Sequence, residues 1–107
     1  MKIDPRLRKK VRIRKKVSGT ANKPRMTIYK SLKAIYVQLV DDVNNVTLCS
    51  ASIKKNNITS GVELGKLIGE KAKNQQLTQV VFDRNGYNYH GVVKAVADSA
   101  RENGLVF

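Results

Sequence analysis

The sequence predicts an α/β fold on a mixed four-stranded sheet: three antiparallel strands, a helix, a fourth strand and a second helix. Three observations carry that prediction. Between Arg25 and Ser52 apolar and polar residues alternate in three runs separated by short turn clusters, the period of half-buried strands. Beyond Ser60 the apolar residues recur at helical spacing, in two stretches. Between those stretches lies QVVFD, residues 79–83, short and continuously apolar at its centre as a buried strand is.

In chain order, the front of the molecule comes first because it is so unlike the rest. The first 25 residues hold eleven cations against the single acid Asp4, a net +10 out of +13 for the whole chain. Met26 to Phe107 has 10 basic and 7 acidic residues, an ordinary balance. Residues 1–23 therefore read as a basic arm and 24–107 as a globular α/β domain. So dense a charge repels itself and has little to bury, so the arm is expected to order on an anion. Arginine, whose planar fork grips phosphate in pairs of hydrogen bonds, supplies five of the eleven cations. Asp4 as N-cap, Pro5 at the first helical position and Gly19 as terminator outline a helix formed on that partner, whether nucleic acid, an anionic membrane surface or an acidic protein. The competing reading is a solvated polybasic tail.

SGTANK, residues 18–23, is a loop by composition, and Pro24 pushes Lys23 towards extended backbone. In the first strand Met26 and Ile28 share one face, with Thr27 and Tyr29 on the other. Ser31-Leu32-Lys33 turns the chain. The second strand, 34–42, sets Ile35, Val37 and Leu39 against Tyr36, Gln38 and Val40. After the turn cluster Asp42 to Asn45, the third strand runs from Val46 to Ser52, with Val46 and Leu48 opposite Cys49 and Ala51. Lys54 to Thr59 reads as a mobile loop. Ser60 to Glu63 fits a capping box at the start of the first helix. Leu64, Ile68 and Ala72 form its core stripe, and Gly61, Gly65 and Gly69 form a smooth strip expected to lie close on the sheet. The fourth strand, 79–83, is expected parallel to the first and inside the sheet. The last helix, His90 to Asn103, turns Val93, Val96, Ala97 and Ala100 inward and ends in a left-handed Gly104, with Leu105 making the accompanying contact.

Composition limits the chemistry. A lone Cys49 excludes an intramolecular disulfide and a cysteine-based zinc site. With one histidine as well, no protein-made metal site or cofactor is expected. No apolar run approaches the roughly 18 residues that span a bilayer, and Leu7 and Val11 offer lipid little, so a soluble intracellular protein without a membrane partner is expected. The loop DRNGYNYHG, residues 83–91, gathers Arg84, Tyr87, Tyr89 and His90 at the C-terminal end of a strand, where open α/β sheets favour ligands. The tyrosines are suited to stacking on bases and Arg84 to phosphate. Equally, Asn85-Gly86 makes a turn while Tyr89 and His90 pack on the last helix. His90 and Asp83 lack a nucleophile, and the first strand contributes no acid to a metal-binding carboxylate cluster. A nuclease-like or other phosphate-handling enzyme is therefore the lesser alternative, and a small-molecule substrate is not expected.

The segments SGTANKPRMTIYKSLKAIYVQLVDD, TLCSAS, VVFDRNGYNYHG and AVADSARENGLVF, with the glycine-spaced helix between them, resemble the bacterial type of large-subunit ribosomal protein L eighteen. The resemblance covers nearly the whole chain, and VVFDRNGYNYHG is its most specific piece. It implies a ribonuclease-H-like mixed sheet without nuclease carboxylates. It also implies binding of 5S rRNA, beside 23S rRNA, ribosomal protein L five and other central protuberance proteins, in the cytoplasmic large subunit. Position by position, the resemblance implies RNA binding at Arg8, Lys9, Arg12, Arg14, Lys15 and Lys16 of the arm and at Arg25, and Arg6, Lys10 and Lys23 are expected to join them by their charge. Lys30, Ser31, Lys33, Tyr36 and Gln38 follow on the hairpin, whose cations extend the arm's footprint, and Arg84, Tyr87, Tyr89 and His90 in the loop. Leu32 and Ala34 stand where the family commonly has Asn and His, and Val92 where it has Arg, which moves more of the grip onto the arm.

Overall fold

The structure, a computed structural model, describes residues 18–107. The expected arm helix and the cations Arg6, Arg8, Lys9, Lys10, Arg12, Arg14, Lys15 and Lys16 lie outside the described residues. The elements are β1 (Arg25–Lys30), β2 (Ile35–Asp41), β3 (Val46–Ile53), α1 (Ile58–Asn74), β4 (Val81–Asp83) and α2 (Val92–Glu102). The sheet order is β3-β2-β1-β4, antiparallel across the first three strands, with β4 parallel to β1. This is the mixed sheet that the sequence predicts.

The alternation decides which face is covered. Met26, Ile28, Ile35, Val37 and Leu39 are fully buried, with Leu64, Ile68 and Ala72 of α1 and Val93, Val96 and Ala100 of α2 in the same core. A register shift at Leu39/Val40 inserts an extra β3 residue. Cys49 and Ala51 nevertheless turn to the core side while Val46 stays exposed. Burial pushes the Cys49 thiol above its ordinary value, with the nearby Lys71 charge opposing. Along the outer edge of β3, Lys71 Nζ donates to the Ser50 carbonyl at 2.6 Å and Gln75 Nε2 to that of Leu48 at 2.8 Å.

Several sequence expectations are corrected. Strand β4 is an edge strand and only three residues long. Val80 before it is buried, and Gln79 instead pairs with Val106. Helix α1 starts earlier than the capping-box pattern implies. Its cap is Asn57, whose Oδ1 accepts from the Ser60 N–H at 2.7 Å, so Ser60 sits buried in the first turn and the preceding loop is shorter. The glycine strip faces α2 and not the sheet. A Cβ on Gly65 would lie 2.5 Å from the Val96 carbonyl oxygen, and one on Gly69 would lie 2.7 Å from Asn103 Cβ. The sheet side of α1 is already occupied by Leu64, Ile68 and Ala72. The glycines lie beside that stripe and let α2 approach so closely that Ser99 Oγ donates to the Val62 carbonyl at 2.6 Å.

Helix α2 begins at Val92, two residues later than expected, after Gly91. Its end is as the sequence predicts. Gly104 has φ +108 and Leu105 is buried. The amides of Gly104 and Leu105 donate to the carbonyls of Arg101 and Ala100, the paired bonds of a glycine-terminated helix.

Candidate nucleic-acid interface

At the end of the sheet where β1 begins, the charged groups hold one another. Arg25 Nη1 lies 2.7 Å from Asp83 Oδ2, and its Nε and Nη2 reach the two oxygens of Asp42 at 3.0 and 3.1 Å. The two bonds from Asp42, ahead of that from Asp83, keep the guanidinium pKa above its ordinary value despite burial. Asp42 also accepts from the Gly19 N–H at 2.7 Å, while its own N–H donates to the Gly19 carbonyl. Gly19 is thereby docked so tightly that a Cβ would lie 2.2 Å from the Arg25 nitrogen. The SGTANK loop bulges out beyond it, closed by Thr20 N–H to the Lys23 carbonyl, and leaves Lys23 exposed.

The other end has the opposite character. The hairpin after β1 and the loop after β4 meet there because β1 and β4 run parallel. Tyr87 is the joint. Its hydroxyl accepts from the Lys30 N–H at 3.3 Å and donates to the Lys30 carbonyl at 3.2 Å, with the Lys30 ammonium 5.2 Å over its ring. The loop itself is pinned by Asn85, in the left-handed region at φ 57, whose N–H donates to Asp83 Oδ1. Lys33 and His90 are exposed and Arg84 is half-buried. The arm's root and the hairpin are at opposite ends of β1, roughly 17 Å apart at about 3.3 Å per residue.

Between the two ends lies the sheet face that the helices leave open. Register pairs Tyr29 with Tyr36 and Thr27 with Gln38, and carries the row to Ser50 and Ser52 on β3. Tyr29 and Tyr36 are 50% and 41% exposed, with ring centroids 5.9 Å apart, so both rings offer a face to solvent. A shallow hollow of about 400 Å³ opens over Thr27, Tyr29, Tyr36 and Gln38. Two aromatic rings ringed by hydroxyls and an amide suit base stacking and 2′-hydroxyl contacts.

The structure thus sorts the residues proposed from sequence. Lys30, Ser31, Lys33 and Tyr87 come together at one end, Tyr36 and Gln38 lie on the open face, Arg84 follows Asp83 beside the middle of β1, and Lys23 and Arg25 stand at the far end. Arg25 and Tyr87 are 8% exposed, and their polar groups are engaged internally. Tyr89 turns towards α2, edge-on to Phe82, with its hydroxyl 3.1 Å from Arg101 Nη1. Sequence reasoning did not select Thr27, Tyr29, Ser50 or Ser52. The period-two alternation already placed Thr27 and Tyr29 opposite the core residues, but only the cross-strand register shows them beside Gln38 and Tyr36. Among the described residues no carboxylates cluster for metal chemistry: Asp41 accepts from Val43 and Asn44 in its own turn while Asp42 and Asp83 hold Arg25.

Comparison with known proteins agrees with this picture. The family model for ribosomal L18 of archaea, bacteria, mitochondria and chloroplast matches residues 1–107. The large ribosomal subunit protein uL18 of Petrotoga mobilis is 48% identical over 112 residues, covering 95% of this chain and 92% of the relative. That of Lactobacillus acidophilus is 52% identical over 108 residues, with 95% and 92% covered. That of Geobacter metallireducens is 51% identical over 110 residues, with 94% and 91% covered. With the family match running through the arm as well as the sheet and both helices, the chain belongs to the ribosomal L18 family.

Proposed function

We propose that the chain is a structural, non-enzymatic constituent of the large ribosomal subunit in the cytoplasm. There it binds 5S rRNA and helps attach it to 23S rRNA in the central protuberance, beside ribosomal protein L five. The observation that carries this reading is the family match over the full chain. A ribosomal family is not an enzyme family, so the phosphate-handling alternative falls away. The division of labour follows from the charges. Residues 1–23 supply phosphate neutralisation, residues 24–107 supply recognition, and the open face carries the rings that meet unstacked bases. Arg25 and Tyr87 serve by holding the arm's root and the hairpin in place.

A salt titration of binding to 5S rRNA, beside a duplex RNA of equal length and unrelated sequence, tests this. Tighter binding to 5S rRNA with steep slopes for both is expected. Coincident curves at every salt concentration would remove the assignment. Replacing Arg12, Arg14, Lys15 and Lys16 by Ala is expected to flatten the slope by nearly one unit per lost phosphate contact.

A further inference from the structure

Two chain segments far apart in sequence finish at one end of the sheet, because β1 and β3 point the same way. The hairpin brings Lys30 and Lys33 and the end of β3 brings Lys54 and Lys55, while β4 stops short, with Asp83 level with Thr27. Ile53 is in register with Ile35, which places the Lys54–Lys55 pair beside the hairpin. Asn56 Nδ2 fastens the two segments by donating to the Ser31 carbonyl at 2.7 Å. Four of the ten cations beyond Arg25 are thus collected at one end. Lys33, Lys54 and Lys55 are exposed, and among the described residues none of these four cations has an ion-pair partner. Glu63 lines a hollow with Lys54, Lys55 and Asn57. Asp41 and Asp42 lie at the opposite end.

Collecting like charges costs repulsion in the free protein, and that cost is recovered only against a polyanion. Lys33 and the Lys54–Lys55 pair are exposed on two neighbouring segments that form a rim of the sheet, so they fit successive phosphates of a nucleic-acid backbone better than one small anion. We propose that Lys33, Lys54 and Lys55 form a second phosphate-backbone surface that grips a different stretch of RNA from the one held by the arm. The proposal rests on the RNA-binding reading above and adds Lys54 and Lys55 to it. Gly19 is docked at the start of β1, the length of that strand away from the rim.

The test uses the full chain with Lys54 and Lys55 both replaced by Ala. In a salt titration on 5S rRNA the log-log slope is expected to fall by roughly 1.8, about 0.9 per phosphate contact, with the thermal midpoint unchanged. Hydroxyl-radical footprinting is expected to lose protection at nucleotides other than those lost when Arg12, Arg14, Lys15 and Lys16 are replaced. An unchanged slope overturns the rim as a phosphate surface, even where 5S rRNA is still preferred. Loss of the same protections in both variants overturns the second stretch of RNA. Failure of the 5S assignment looks different: the native chain would not distinguish 5S rRNA from the unrelated duplex, while the slope change persisted on both.

Discussion

Arg25, Asp41, Asp42 and Asp83 towards the start of β1 are held in place by hydrogen bonds and ion pairs, whereas Lys33, Lys54 and Lys55 at its finish are not ion-paired within the described residues. The first group resists solvent and fixes where the chain enters the sheet. The second group faces solvent and keeps its charge available. Charge near the arm is therefore no guide to function by itself: Arg25, adjacent to the arm in sequence, is spent on the fold, and Lys54, remote from it, is not.

The largest effect that tests this contrast is expected from Asp83→Ala. It strips the shortest partner from a buried guanidinium, and breaking such a pair costs roughly 3 kcal/mol or more. Chemical denaturation measures the loss, and RNA binding by the fraction still folded is expected to keep its salt slope. A smaller loss of stability would mean that solvent reaches Arg25. Gly19→Ala comes next, at about 1–3 kcal/mol, because the added methyl meets backbone that has no room to give. Amide exchange at Asp42, whose N–H is covered by Gly19, reports the undocking. Tyr87→Phe, at the cationic end, removes a hydroxyl that bridges both backbone groups of Lys30, with an expected cost of about 1 kcal/mol. Its sharper readout is increased mobility of the hairpin amides. Lys33→Ala is expected to change stability by less than about 0.5 kcal/mol while lowering the salt slope on RNA by nearly one unit. If Lys33→Ala instead matched Asp83→Ala in stability, the division between the two ends would collapse.

The strands and the core were readable from alternation alone, because Met26, Ile28, Ile35, Val37 and Leu39 sit at strict period two beneath two helices. Gly104 and Leu105 were readable for a similar reason, since the cap needs only local geometry. Elsewhere two local signals competed. Ser60 and Glu63 satisfy a capping pattern, but Asn57 is an equally good cap one turn earlier and gains three further helical residues. The glycine strip announced close packing without naming its partner, which depends on where α2 lies. The candidate site suffered most from this limit. Tyr36 and Gln38 were found by resemblance, while Tyr29 and Lys54 gain meaning only from register and strand direction, which single-sequence patterns do not encode.

The reach of Lys71 and Gln75 across to β3 bears on the life of the chain before it meets RNA. An exposed strand edge is a template on which a second copy can add its own strand, the first step of self-association. Here the carbonyls of Leu48 and Ser50 are already taken by side chains of the protein's own helix. An incoming strand would have to strip away both bonds and lie against an ammonium group. The uncovered face with its two tyrosines is thus bordered by an edge that discourages self-pairing, so the free protein can keep that face open without polymerising through it.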